Sequence, residues 1–239
     1  MKLVPIFSTI TTIGLTFMAA GAEAFPAYKP QPRGIPDMRV SGGTRSPGGG
    51  ACVSNSQAPP LTSIFPENDL GYTTDAYPAF QWYVPSNSAS YVEFNLYEVL
   101  EEEDGLFQPV YQTAFVPSTA AGIATLQLSP QAGLQPLNPD NYYYWSVEVY
   151  CPDEITAVMT SEGFVQVLEP DALLTEALND SEGIERAAIA AENSLWFDAT
   201  RALTERLQTH PQDLQARTSW QTLLESIGLE NIADAPLLP

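Results

Sequence analysis

Asn141–Tyr150 reads NYYYWSVEVY. Tyrosine, tryptophan and valine favour a pleated, half-buried surface, so this run predicts a strand with its alternate rings in a core. Similar runs lie on both sides, separated by turn residues: Leu61–Phe65, Ala79–Val84, Tyr91–Leu100, Val110–Val116, Ile123–Leu128 and Met159–Leu168. In Tyr91–Leu100, Val92, Phe94 and Leu96 share one face, and Glu93, Asn95 and Tyr97 the other, until the phase slips at Glu98-Val99. The acidic tip Glu101-Glu102-Glu103-Asp104-Gly105 reads as a hairpin loop. Seven short strands at nearly even spacing predict an antiparallel β-sandwich over residues 52–169.

Leu137-Asn138-Pro139 ahead of the aromatic strand resembles the approach to the penultimate strand of fibronectin-type-III domains. That resemblance implies an immunoglobulin/fibronectin-III-like sandwich and carries no activity. From Pro170 the pattern turns helical, over Asp171–Ala177, Gly183–Asn193, Leu195–Thr209 and Asp213–Ile227, with a short turn near Glu230–Ala233. Trp196-Phe197-Asp198-Ala199, then Leu203, Leu207 and Pro211, with small Ala187, Ala188 and Ala191 before them, resembles a tetratricopeptide repeat. About one repeat is present, and fewer than about three rarely stand alone. Residues 170–239 are therefore expected to lean on the sandwich or on a partner.

The N-terminal residues read as a secretory signal peptide. Lys2 precedes a stretch of apolar and small residues, and Ala22-Glu23-Ala24 forms an A-x-A cleavage site, so the mature chain is expected to start at Phe25. Pro5 and the interspersed threonines dilute this run too much for a spanning helix. Residues 25–51 form a Pro/Gly-rich arm with Lys29, Arg33, Arg39 and Arg45 against Asp37, expected to be flexible. Cys52 and Cys151, an even pair in an exported chain, are expected to form a disulfide.

The formal net charge is −20, and it is unevenly placed. Residues 51–169 carry 15 acids and no Lys, Arg or His. Such a segment excludes nucleic acid as a partner, because phosphate binding needs clustered cations. It offers either simple solubility or a docking face for cations or for a basic partner, the chain's own basic arm among the candidates. No catalytic, cofactor or metal site stands out. The lone His210 precedes Pro211 at a helix end, which suits capping better than a catalytic triad. Gly48-Gly49-Gly50 lacks the lysine and flanking elements of a phosphate loop, and Glu101–Asp104 lacks calcium-loop spacing.

Several stretches together resemble an exported cyanobacterial family catalogued as domain of unknown function 928. They are Val40-Ser41-Gly42-Gly43-Thr44-Arg45, Pro78–Pro85, Tyr144-Trp145 before Cys151-Pro152, Gly163-Phe164, Trp196–Ala199 and Leu223–Leu229. The resemblance implies export and a two-part architecture, with no activity or cofactor. The chain is thus expected to be an exported, non-enzymatic binding or scaffold protein of the periplasm or envelope, meeting a protein partner through its helices or acidic β-domain. The alternative is a carbohydrate-binding or carbohydrate-processing protein using a cleft lined by Tyr143, Trp145 and two close carboxylates.

Overall fold

The computed structural model describes residues 24–30, 52–53, 58–66, 70–100 and 106–239. Its strands are β1 (Thr62–Ser63), β2 (Gly71–Thr73), β3 (Ala79–Val84), β4 (Tyr91–Leu100), β5 (Leu106–Phe115), β6 (Gly122–Gln127), β7 (Tyr142–Tyr150) and β8 (Met159–Val167). Its helices are α1 (Ala172–Asn179), α2 (Gly183–Glu192), α3 (Trp196–Thr209) and α4 (Leu214–Glu225). Among the described residues, no helix is long and apolar enough to cross a membrane.

The strands form two sheets, ordered β1-β3-β6 and β2-β8-β7-β4-β5. Alternation sets their facing. Val92, Phe94 and Leu96 of β4 and Tyr143, Trp145, Val147 and Val149 of β7 are buried, while the residues between them turn to the other face. Rings of the two sheets meet in the middle: the Phe80 centroid lies 5.1 Å from Phe94 and 5.2 Å from Trp145. The pair therefore packs as a sandwich with an aromatic core. Cys52 and Cys151 are joined in a disulfide with Cα atoms 5.5 Å apart. It ties the start of this region to the residue that follows β7.

Two strand details depart from the sequence reading. β5 begins at Leu106 rather than Val110, because Pro109 sits beside a register shift on an edge strand, where its missing N–H leaves no gap in the sheet. β2 was not anticipated, and it runs parallel to β8, with Gly71 opposite Val165 and Thr73 opposite Val167. The sandwich is thus not wholly antiparallel. A three-residue strand has too few positions to show a period.

The helices share the sandwich's hydrophobic core. Phe197 of α3 lies 6.1 Å from Phe65 and 5.4 Å from Phe80, centroid to centroid. The Trp196 indole N–H donates to the Ile64 carbonyl at 2.8 Å. The chain then returns past β6, where Ile123 donates to the Pro236 carbonyl and Leu238 to the Ile123 carbonyl, both at 2.8 Å.

The first residues of the expected arm lie against the helices. Tyr28 is 5% exposed and its ring meets Trp196 edge-on at 4.9 Å. Its hydroxyl donates to the Ser194 carbonyl at 3.2 Å, and the Ser194 hydroxyl donates to the Lys29 carbonyl at 2.6 Å. An aromatic ring with a polar tip fixes this segment despite its prolines. The arm's remainder up to residue 51, the leader through residue 23 and the acidic tip 101–105 lie outside the described residues.

Gly71 makes room for α3. A Cβ there would lie 2.5 Å from Phe197 and 2.8 Å from Phe65. Gly71→Ala is expected to force both rings aside and cost about 1–3 kcal/mol of unfolding free energy. Urea denaturation checks this, and an unchanged midpoint would show that the rings shift without cost.

Candidate functional site

The helices pack closely through small residues. Ala187, Ala190 and Ala191 of α2 are fully buried, so α2 and α3 approach each other tightly. Asp213 caps α4, accepting from the Ala216 N–H at 3.0 Å, and also takes the Arg206 guanidinium at 2.7 Å. Together these donors hold its carboxyl pKa below the ordinary value.

With α4 alongside, α2 and α3 enclose an open groove of about 1630 Å³. Its lining mixes acids such as Glu182, Glu185 and Glu192 with Arg186, Arg201 and Arg206. Leu214 lines it while 77% exposed. Ala24, Phe25 and Pro26 of the N-terminal segment line it as well. Arg201 is committed within the fold: it pairs with Asp75 from the loop after β2 and with Glu205 at 2.7 Å.

Beside this ion pair lies a buried carboxylate. Asp198 is 7% exposed in the first turn of α3. The Thr74 backbone N–H donates to its Oδ2 at 3.1 Å and the Thr74 hydroxyl to its Oδ1 at 2.7 Å. Burial pushes the Asp198 pKa up, and the hydrogen bonds from Thr74 and Thr73 pull it only part of the way back. Further along α3, Thr204 accepts from the Gln81 amide of β3 at 2.9 Å. These contacts clasp α3 to the β-region. They hold the groove's floor in place.

The structure places the sequence candidates as follows. His210 lies exposed at the end of α3, its Nδ1 2.9 Å from the Thr209 hydroxyl, so its ring pairs with a side chain rather than a helix carbonyl. Tyr143 and Trp145 are 1% and 0% exposed: Trp145 lies inside the core, and Tyr143 reaches only a small pocket of about 330 Å³ beside Glu98 and Leu137. Among the described residues, no group of three His, Cys, Asp or Glu side chains is arranged to hold a metal. Sequence reasoning missed the Tyr28 anchor and the Asp198–Thr74 clasp. Asp198 between buried Phe197 and Ala199 was the one visible signal, since an acid so placed needs a donor from elsewhere.

The family model described as Domain of Unknown Function (DUF928) matches residues 40–237, so the chain belongs to that family. No curated protein matches the chain.

The clasp has a pH signature. The folded state holds the Asp198 proton more tightly than the unfolded chain does. Its contribution is therefore most favourable below the ordinary value near 4 and declines as pH rises through the raised pKa. Asp198→Asn, which keeps an acceptor for Thr74, is expected to flatten that decline. Asp198→Ala strands the Thr74 donors and is expected to cost about 1–3 kcal/mol. Denaturation midpoints across mildly acidic pH test both, and an unchanged slope in Asp198→Asn would refute the assignment.

Proposed function

We propose that this member of the DUF928 family is an exported, non-enzymatic binding or scaffold protein, and that the groove of α2, α3 and α4 is where it meets a protein partner. The observation that carries this reading is the N-terminal segment. The groove region already accepts an extended piece of this chain: Phe25 and Pro26 line it, and Tyr28 anchors the same segment on Trp196. A surface that holds one extended segment through an aromatic anchor and backbone hydrogen bonds suits a second one. Exposed Leu214 offers the apolar contact.

Export is supported by the signal-like residues 1–24 and by a disulfide that closes a separation of 99 residues. The strand order and the aromatic core between the sheets favour an immunoglobulin/fibronectin-III-like sandwich. The tight α2–α3 pair followed by α4 favours a tetratricopeptide-like block. The carbohydrate alternative has less support, because Trp145 is fully buried and Tyr143 meets only a small pocket beside Glu98. It would have to use rings on the outer sheet face.

The test is photo-crosslinking in intact cells that make the full chain. Thr218→p-benzoylphenylalanine, at an exposed groove position, is expected to give a discrete protein adduct. Leu173→p-benzoylphenylalanine, on exposed α1, is expected to give none. Equal labelling from both sites, or none from Thr218 with a monomeric protein by light scattering, would sink the proposal.

A further inference from the structure

The outer face of the five-stranded sheet carries a second site, independent of the groove. Register lays its residues out in rows. Tyr91 of β4 lies opposite Tyr150 of β7, Glu93 opposite Glu148, Asn95 opposite Ser146, and Tyr97 opposite Tyr144. Glu162 of β8 continues the third row beside Ser146. The rings are paired at both ends: Tyr91 stacks on Tyr150 at 4.5 Å, and Phe107 lies 5.1 Å from Tyr144 and 6.2 Å from Tyr97.

Two features of this face break the rules of a merely solvated sheet. First, Glu93 and Glu148 are like charges directly opposite each other, an arrangement that destabilises a sheet. They receive neutral donors, Gln112 to Glu93 and the Tyr150 hydroxyl to Glu148 at 2.7 Å, while the Tyr144 hydroxyl donates to Glu162. No basic residue exists anywhere between Arg45 and Arg186 to neutralise them. Second, Asn95 and Ser146 are each only 3% exposed although they sit on the outward face. They form the row between the Glu93–Glu148 pair and the Tyr97–Tyr144 pair. Among the described residues, neither polar side chain has a hydrogen-bond partner. A largely covered amide and hydroxyl on the outward face, with no partner inside the fold, are groups a docked backbone can satisfy.

The shape and charge select that ligand. From Tyr91 to Tyr97 is six residues of strand, about 20 Å, the reach of a short extended peptide. A neutral sugar would leave the Glu93–Glu148 repulsion in place, whereas a cation relieves it. A single metal ion does not fit, since no three acids among the described residues converge. Flat tyrosine faces beside carboxylates suit guanidinium and ammonium groups, whose apolar stems can lie along the rings.

We propose that the outer face of β4 and β7 docks an extended basic segment of a protein partner, its arginine or lysine head groups held by Glu93, Glu148 and Glu162 and its stems laid on the flanking tyrosines. Asn95 and Ser146 then hydrogen-bond the segment from below.

The probe is a fluorescein-labelled octapeptide of alternating arginine and glycine, followed by anisotropy against the full chain at low and at physiological salt. The wild type is expected to bind at both. Glu93→Gln/Glu148→Gln keeps the acceptors for Gln112 and Tyr150, and is expected to weaken binding about tenfold or more. The same variant is expected to unfold at a higher temperature, because it removes a repulsion the free protein carries. Tyr91→Ser, at a 36% exposed ring, is expected to weaken binding with the fold intact by circular dichroism. Glu169→Gln/Glu176→Gln changes the net charge equally, at exposed positions away from the face, and is expected to leave binding within about twofold. Equal weakening by this control pair would reduce the effect to overall charge and overturn the proposal. So would unaltered binding in Glu93→Gln/Glu148→Gln, or tight binding of cellohexaose or calcium ions with none of the peptide.

Discussion

The architecture depends on the burial of Trp196 and Phe197, the first two residues of α3. The indole of Trp196 is fully buried and spends its one donor on the Ile64 carbonyl at 2.8 Å, a group next to β1 that lies 132 residues away in sequence. Phe197 is set among Phe65, Phe80 and the bare backbone of Gly71. A buried indole N–H must find an acceptor, and a buried ring must fill its space, so the helix has one permitted position on the strands.

Several features follow from that position. Asp198 and Arg201 come next on the same helix and reach Thr74 and Asp75 in the loop after β2. Tyr28 completes the cover over Trp196 and brings the N-terminal segment to the mouth of the groove. The groove is open because α2, α3 and α4 present their other sides to solvent, while α3 commits its apolar side to the β-region. The groove and the core thus share one helix. The outer sheet face lies apart from it, on strands whose inward residues do the packing.

Much of this was legible in the sequence. Alternation in Tyr91–Leu100 and the aromatic run Asn141–Tyr150 identified the two central strands and which residues enter the core. The expected spans Asp171–Ala177 and Asp213–Ile227, and His210-Pro211 after the third helix, located the helix ends within a residue or two. Residues 170–239 were expected to lean on the sandwich or on a partner, and α3 shares the sandwich's core. What escaped was whatever depends on partners distant in sequence. β2 exists because β8 offers an edge, the docking of Tyr28 depends on a tryptophan 168 residues later, and Thr74 is informative only once Asp198 faces it. The rows on the outer face were present as the alternation of Glu93, Asn95 and Tyr97, but the opposition of Glu93 to Glu148 is a matter of register.

The central claim is that α3 makes the helices and the β-region one cooperative unit. Native-state hydrogen exchange measures this directly, by comparing the amides of Ala202 and Leu203 in α3 with those of Trp145 and Val147 in β7. Both sets are expected to open with the same free energy, equal to that of global unfolding, and to fall together as denaturant is added. Exchange of the α3 amides through a lower-energy opening that leaves β7 protected would contradict the account.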